Sequence, residues 1–228
     1  MSFLNVNFEN QETILQSFDR IAHKISKDIQ IKINDARYRI VDFEFYTYSD
    51  AMPDPHTYKS KHQLERGKFY LHSSGVDITF GDGVNHGGIL LRGVIRLDDA
   101  AGLEAAFMKE QFDGPHKVAT ELFSNLHPLD SDQKNEITLV DINGHHMDSL
   151  FKLPRHILKT HRVGLTPKPT DKKGFYAFLP IRYITLLHPS SFKHTIKGIE
   201  ALLYKEVASG KMTEQDAREI LGYNKSFV

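Results

Sequence analysis

The residues of this chain that could carry out acid–base chemistry are concentrated in one short stretch, Ile40–Tyr46. Its polar members are Asp42, Glu44 and Tyr46, and they alternate with Val41, Phe43 and Phe45. A period of two predicts a β-strand with one face in a core and with two carboxylates and a phenol on the other face. A strand fixes the separation of such groups, as catalysis requires. An ordinary strand with a solvated outer face would show the same pattern.

Hydrophobic periodicity indicates the elements that would surround this strand. An apolar stripe at helical spacing predicts a helix over 11–28, with Asn10 as a suitable N-cap. Short strands are predicted over 29–34, 38–48, 69–71, 76–80, 89–97, 137–142 and 175–187. Further helices are predicted over 98–126, with Gly114-Pro115 dividing them, over 191–208, and from Thr213 to Gly222.

Composition excludes several classes of chemistry. The 228 residues include 29 basic and 29 acidic side chains, so the net charge favours no particular partner. Cysteine is absent, which excludes disulfides, thiolate metal sites and a cysteine nucleophile. Residues 1–12 show no secretory signal pattern, and no stretch approaches the ~18 apolar residues of a membrane span. We therefore expect a cytoplasmic protein without a membrane partner.

Thirteen histidines raise the question of a metal site. The densest group comprises His145, His146, His156 and His161. Its spacing matches no common ligand motif, so neither a metal nor another cofactor is predicted. The segment from Gly81 to Gly88 lacks the Gly-Lys-Ser/Thr ending of a phosphate loop, and a hairpin turn is predicted there instead.

Two loop segments concentrate basic side chains despite the neutral net charge. One mixes cations with aromatic rings between Tyr58 and Tyr70 and includes Lys59, Lys61, Arg66 and Lys68. The other lies between Lys152 and Lys173 and includes Arg155, Lys159 and Arg162. Cations neutralise phosphates and rings stack on bases, so these segments predict a nucleic-acid-binding face. A solvated loop surface is the simpler alternative.

Several separated motifs follow one another over residues 38–185. The strand Ile40-Val41-Asp42-Phe43-Glu44-Phe45-Tyr46 is followed by His56, by Arg66-Gly67-Lys68-Phe69 and by Leu90-Leu91-Arg92-Gly93. Later come Gly114-Pro115-His116-Lys117-Val118, Arg162-Val163-Gly164-Leu165 and Ile181-Arg182-Tyr183. In this order they resemble motifs of the methylpurine (alkyladenine, 3-methyladenine-type) DNA glycosylases, which read I-V-E-x-E-A-Y with a later His, R-G-M-F, L-L-R-A, G-P-G-K-L, R-V/I-G and R-F-Y.

The resemblance implies a base-excision-repair enzyme that flips a damaged purine out of double-stranded DNA into a pocket. Glu44 would be the general base that activates water for attack on the sugar C1′, and Arg92 would orient the carboxylate and the water. The flipped base would stack on Tyr46 and would be contacted by His56 and by main chain near Val163 and Leu165. Alkylation makes the purine a good leaving group, so the family needs no metal.

The chain departs from the family pattern between Phe69 and Ile89, where it is shorter. The tyrosine-rich strand that supplies the family's second stacking ring and intercalating wedge has no clear counterpart. Phe80, or Phe69 and Tyr70, would provide a ring. Two other functions stay open: a glycosylase-fold hydrolase of another modified nucleoside or of RNA, and a non-catalytic nucleic-acid or protein binding module. A continuous basic rim around Glu44 would favour duplex DNA, and a Glu44 without an open pocket would favour the module.

The element pattern and the resemblance together predict an α+β fold. A glycosylase-like domain over 1–189 would contain a curved, mostly antiparallel sheet flanked by helices, and a C-terminal helical extension over 190–228 would pack on the same domain. Glu44 and Arg92 are expected on neighbouring strands with their side chains on one face. Tyr46 and His56 are expected to flank a pocket that has Glu44 as its floor, with the basic segment 152–173 on the same side.

Overall fold

The computed structural model describes residues 2–97, 110–130, 132, 135–142, 156–186, 198–221 and 226. The helices in these residues are α1 (Gln11–Asp28), α2 (Pro115–Ser124), α3 (Ile199–Ala208) and α4 (Glu214–Leu221). The strands are β1 (Ile29–Ile33), β2 (Ala36–Tyr48), β3 (Arg66–His72), β4 (Gly75–Phe80), β5 (His86–Leu97), β6 (Gln111–Asp113), β7 (Ile137–Asp141), β8 (His156–Thr160) and β9 (Arg182–Leu186).

The strands β2 and β5 form the central pair of one antiparallel sheet. On the edge away from β5, strand β2 pairs first with β1 and then with β9. On the edge away from β2, strand β5 pairs with β4 and β6. The sheet continues through β3 beyond β4, β7 beyond β1 and β8 beyond β9. With partners changing midway along both central strands, the sheet curls into a half-barrel. The prediction of an α+β fold with a curved antiparallel sheet is confirmed.

The central pair is irregular at the point where these partners change. Val41 on β2 and Arg92 on β5 have no directly opposite residue. Such bulges bend a strand and redirect its side chains. Ile40, rather than Val41, joins Phe43 and Phe45 in the main core cluster. The strict alternation predicted for β2 is therefore wrong at Val41, and the bulge is its physical reason.

The helix α1 covers the apolar face of the central strands. A capping box fixes its start, with the Asn10 side chain accepting from the backbone N–H of Thr13 and the Thr13 hydroxyl accepting from that of Asn10. Its apolar stripe places the Phe18 ring centroid 4.3 Å from that of Phe45 and 5.6 Å from that of Phe80. Packing of this kind buries about 150–250 Å² for each ring.

Phe80 belongs to this core and to no binding site. Its side chain has no exposed surface, because the apolar residues of β4, which include Val76 and Ile78, alternate toward α1. A ring in this position cannot stack on a substrate. The prediction that Phe80 contacts the substrate is therefore wrong.

The helices α3 and α4 pack on the opposite face of the sheet. Their apolar side chains form a second cluster with Leu158, Ile184 and Leu186 from β8 and β9. Ile184 lies opposite Asp42 in the strand register, so this cluster lies on the face that carries the polar side chains of β2. The described part of the C-terminal extension thus packs on the same sheet, while its separation as a unit stays a prediction. None of the described helices has the length and apolar character that a bilayer crossing requires.

We expect Phe18→Ala to lower the free energy of unfolding by about 3–5 kcal/mol, the usual cost of truncating a large buried ring. Denaturant unfolding followed by circular dichroism would measure this change. Phe178→Ala is the matched control, because the Phe178 ring is 60% exposed. Its loss should cost less than about 1 kcal/mol. Equal losses in the two variants would contradict the position of Phe18 at the centre of the core.

Candidate active site

Four charged side chains meet on the polar face of β2, namely those of Asp42, Glu44, Arg92 and Arg182. Arg182 on β9 donates Nε and Nη2 to the two oxygens of Asp42 at 2.8 and 2.6 Å. Arg92 on β5 has its Nε 3.3 Å from Glu44 Oε1. The expectation that Glu44 and Arg92 lie on neighbouring strands with their side chains on one face is confirmed. Each carboxylate has an arginine beside it, which offsets the repulsion between the two.

Glu44 is completely enclosed. Its side chain has no exposed surface. The backbone N–H of Val163 donates to Oε1 at 2.8 Å, and the Tyr46 hydroxyl donates to Oε2 at 2.9 Å. Arg92 acts on Glu44 through charge alone, because its Nε makes no hydrogen bond to any described residue. Both carboxylate oxygens are therefore occupied.

Burial raises the pKa of Glu44, and this effect outweighs the positive charge of Arg92 and the hydrogen bonds from Val163 and Tyr46. A carboxylate with a raised pKa is a stronger base and titrates closer to neutral pH. Strongly shifted groups are concentrated at functional sites, although structural charge clusters shift pKa values too. The electrostatics of Glu44 thus suit a general base.

A pocket of about 300 Å³ opens beside Glu44. Tyr46 and His56 both line it, and so does Leu165, while Val163 is 43% exposed nearby. Glu44 is not part of the lining, so the prediction that Glu44 forms the floor is wrong. The Tyr46 hydroxyl and the Val163 N–H bind the two carboxylate oxygens, and Glu44 has no exposed surface.

Arg162 supports the Tyr46 wall and does not face solvent. Its guanidinium carbon lies 4.4 Å from the centroid of the Tyr46 ring. It donates to Asp54 Oδ2 at 2.6 Å, to the Tyr176 carbonyl at 2.7 Å and to the Phe45 carbonyl at 3.3 Å. The Arg162 side chain is fully buried, so the prediction that it binds a nucleic-acid phosphate is wrong. Its partners were inaccessible to sequence reasoning because Asp54 is 108 residues away.

His56 is held both at its ring and at its backbone. Its Nε2 lies 3.2 Å from Asp171 Oδ2, and Asp171 also accepts the backbone N–H groups of Tyr176 and Ala177. The His56 backbone N–H in turn donates to Asp54 Oδ1 at 3.0 Å. A ring held in this way keeps one orientation where it lines the pocket.

Sequence reasoning missed a second polar network on the far side of the pocket. Asp77 on β4 is buried, with His72 Nε2 3.0 Å from its Oδ1 and Gln63 Nε2 donating to its Oδ2 at 3.0 Å. The backbone N–H of Ser74 donates to His72 Nδ1 at 3.2 Å. A Cβ at Gly88 would lie 2.3 Å from Asp77 Oδ2, so only glycine fits there. The available signal was the carboxylate of Asp77 in the predicted strand Val76–Phe80, where polar residues alternate with apolar ones.

The predicted nucleic-acid contacts are brought together only in part. Lys59 and Lys61 are exposed, and the Lys59 ammonium lies 3.8 Å from the centroid of the Tyr48 ring. Arg66 bonds to the side chain of Asn5, and Lys68 pairs with Glu65. Lys159 binds Asp19 on α1 at 2.6 Å, on the face opposite Glu44, so its predicted position beside the pocket is wrong. Arg155 lies outside the described residues.

The described residues contain no group of three or more potential metal-binding side chains. The prediction that no metal or cofactor is required stays a prediction.

We expect Arg162→Met to lower the free energy of unfolding by about 3–5 kcal/mol, because it leaves the buried Asp54 carboxylate without the cation that neutralises it. Lys168→Met is a suitable control, since Lys168 is an exposed cation at the same pocket. Denaturant unfolding of both variants would measure the difference. An Arg162→Met protein that unfolds like the wild type but binds polynucleotide more weakly would restore the phosphate-binding role.

Comparison of the chain with protein-family models finds no match, and a search of curated proteins finds none either.

Proposed function

We propose that this chain is a hydrolase with a methylpurine-DNA-glycosylase-like fold that cleaves the N-glycosidic bond of a flipped, alkylated purine. The observation that carries the proposal is that one residue connects the pocket to a carboxylate able to accept a proton. Tyr46 lines a cavity of about 300 Å³, and its hydroxyl donates a hydrogen bond to Glu44, which is buried and has a raised pKa. Perturbed carboxylates beside concave pockets are a physical indication of catalysis.

The pocket suits a planar ring of limited size. Its volume lies at the lower end of the ~300–1,000 Å³ that ligand sites span, which favours one base over a larger ligand. Tyr46 offers a ring supported by Arg162, and His56 is held by Asp171. Tyr58 and His72 line the pocket as well, with ring centroids 4.9 Å apart. Fixed aromatic groups of this kind stack on an extruded base.

Glu44 would act as the base in this reaction. An alkylated purine leaves readily, so the protein has to activate water for attack on C1′ and stabilise the charge that develops there. A carboxylate whose pKa is raised by burial accepts a proton more strongly than an exposed one. Arg92, 3.3 Å from Oε1, would hold that carboxylate in place.

Two observations favour a smaller substrate as the second candidate, a modified nucleoside or RNA. Arg162 is buried and Lys159 pairs with Asp19 on the other face of the sheet, so two cations expected near the pocket are turned away from it. The described surface therefore supports a basic rim through fewer residues than the sequence predicted. These are chiefly Lys59, Lys61 and Lys168.

The third candidate, a binding module without catalysis, is favoured by the enclosure of Glu44. In that case the charges of Asp42, Glu44, Arg92 and Arg182 would only join strands, and the pocket would bind a ring without cleaving it. The Glu44 variant below separates this function from hydrolysis.

We expect Glu44→Gln to reduce excision of a methylated purine from duplex DNA by ~10²-fold or more, the usual scale for the loss of a general base. The rate at which abasic sites form in a single turnover, detected by alkaline cleavage of the DNA, would measure this reduction. Wild-type excision should also fall as the pH is lowered through the raised pKa of Glu44, at a pH above the ordinary glutamate value of 4.5. Glu65→Gln, an exposed matched control, should excise like the wild type.

Stability measured on the same preparations excludes a merely structural role. Because the pKa of Glu44 is raised in the folded state, its contribution to stability is complete at low pH and is lost as the pH rises through that value. Glutamine removes this loss, so the melting temperature of Glu44→Gln at neutral pH should equal or exceed that of the wild type. A lower melting temperature, with activity falling only in proportion to unfolding, would contradict the catalytic role.

Salt dependence distinguishes the substrates. If duplex DNA binds, its affinity should weaken as salt rises, and Lys61→Gln should reduce the slope of log affinity against log salt by about 1. Hydrolysis of a methylated nucleoside should be insensitive to both changes. Duplex binding that does not respond to salt would favour the smaller substrate.

A further inference from the structure

We propose that the Tyr46 hydroxyl carries the proton from the attacking water to Glu44, which makes Tyr46 a catalytic residue as well as a stacking wall. This inference rests on the proposed hydrolase function. It assigns to Tyr46 a role beyond the base contact that the sequence motif implies, and the structural reason is the enclosure of Glu44.

Among the described residues, Tyr46 is the link between the pocket and the reactive oxygen of Glu44. Oε1 of Glu44 accepts the Val163 N–H and faces Arg92, which leaves Oε2 for proton transfer. Oε2 accepts from the Tyr46 hydroxyl at 2.9 Å. The Tyr46 side chain lines the pocket, whereas Glu44 has no exposed surface. Under the proposal, a water in the pocket would therefore meet Tyr46 before it meets the carboxylate.

The hydrogen bond already has the direction that a relay needs. The phenol O–H points to the carboxylate, and the phenol oxygen keeps a lone pair to accept a second proton. Burial raises the pKa of Tyr46, and the nearby negative charge of Glu44 raises it further, so the phenol stays protonated at working pH. It can pass a proton on only when it receives another, which links the two transfers in one event.

The step balances in atoms and charge. As the water oxygen bonds to C1′, one water O–H breaks and its proton moves to Tyr46 Oη. The original phenol proton moves to Glu44 Oε2 at the same time. The C1′–N bond breaks, and its electron pair leaves with the base. A cationic alkylated purine and a Glu44 carboxylate thus become a neutral base, a sugar hydroxyl and a protonated Glu44, with Tyr46 unchanged.

The Tyr46→Phe variant tests the relay, because it keeps the ring, the Arg162 contact and the stacking surface but lacks the proton. We expect single-turnover excision from a duplex holding one methylated purine to fall ~10²-fold or more, as for Glu44→Gln. Affinity for the free methylated base should change less than about threefold. The double variant should be no slower than either single variant, since groups that act as one unit are not additive.

Tyr38→Phe is the matched control. The Tyr38 hydroxyl also donates to a carboxylate, Glu121 Oε1 at 2.6 Å, but Tyr38 does not line the pocket. It should excise within about threefold of the wild type if the loss in Tyr46→Phe is specific to the relay.

The outcomes separate the two proposals. Wild-type excision by Tyr46→Phe would overturn the relay and leave the hydrolase intact. Equal losses of excision and base affinity would also overturn it, because they indicate stacking alone. Absence of excision by the wild-type protein would overturn both. If Tyr46→Phe fails to fold, the wild-type rate in mixtures of H₂O and D₂O decides: two protons in transit give a curved dependence on the deuterium fraction, and a linear dependence overturns the relay.

Discussion

The structure depends on the neutralisation of two carboxylates that a central strand carries into a buried face. Asp42 and Glu44 lie two residues apart on β2, where both faces of the strand are covered. Isolated buried charges are prohibitively costly, so each needs a cation and hydrogen bonds in place. Arg182 supplies them to Asp42, whereas Arg92, Val163 and Tyr46 share Glu44. Because their partners differ, Asp42 forms a bidentate ion pair with Arg182, whereas Glu44 keeps a raised pKa.

Strand pairing makes this arrangement possible. Val41 and Arg92, which have no directly opposite residue in the strand register, lie where the neighbour of β2 changes from β1 to β9. The resulting bend brings Arg92 from β5 and Arg182 from β9 to the same two carboxylates. Arg162 and Val163 follow one residue after the end of β8, and Arg162 stacks on Tyr46 while the next residue, Val163, binds Glu44. The pocket wall and the buried base are thus positioned by one short segment.

Local patterns in the sequence were sufficient for α1 with its Asn10 cap and for β2, β5 and their shared face. They were insufficient where long-range contacts decide. The alternation of β2 was disturbed by a bulge that depends on pairing with β5, and Arg162 looked like a surface cation because Asp54 lies far away in the chain. Residues 111–113 form the edge strand β6 inside a segment predicted to be helical, since pairing with β5 outweighs local propensity. The network of Asp77, His72 and Gln63 was missed because its members lie on two strands and on a short 3-10 helix, Lys61–Leu64.

The ion pair between Asp42 and Arg182 joins residues 140 positions apart. During synthesis β2 leaves the ribosome long before β9 exists, and contacts of such sequence separation form slowly. The emerging chain therefore carries two carboxylates that only the later arginine-bearing strand and the Val163 segment can accommodate in a closed structure. The half-barrel should close late, with the site as its last part to become ordered, and a stalled or truncated chain would present an unpaired edge of β2 to other chains.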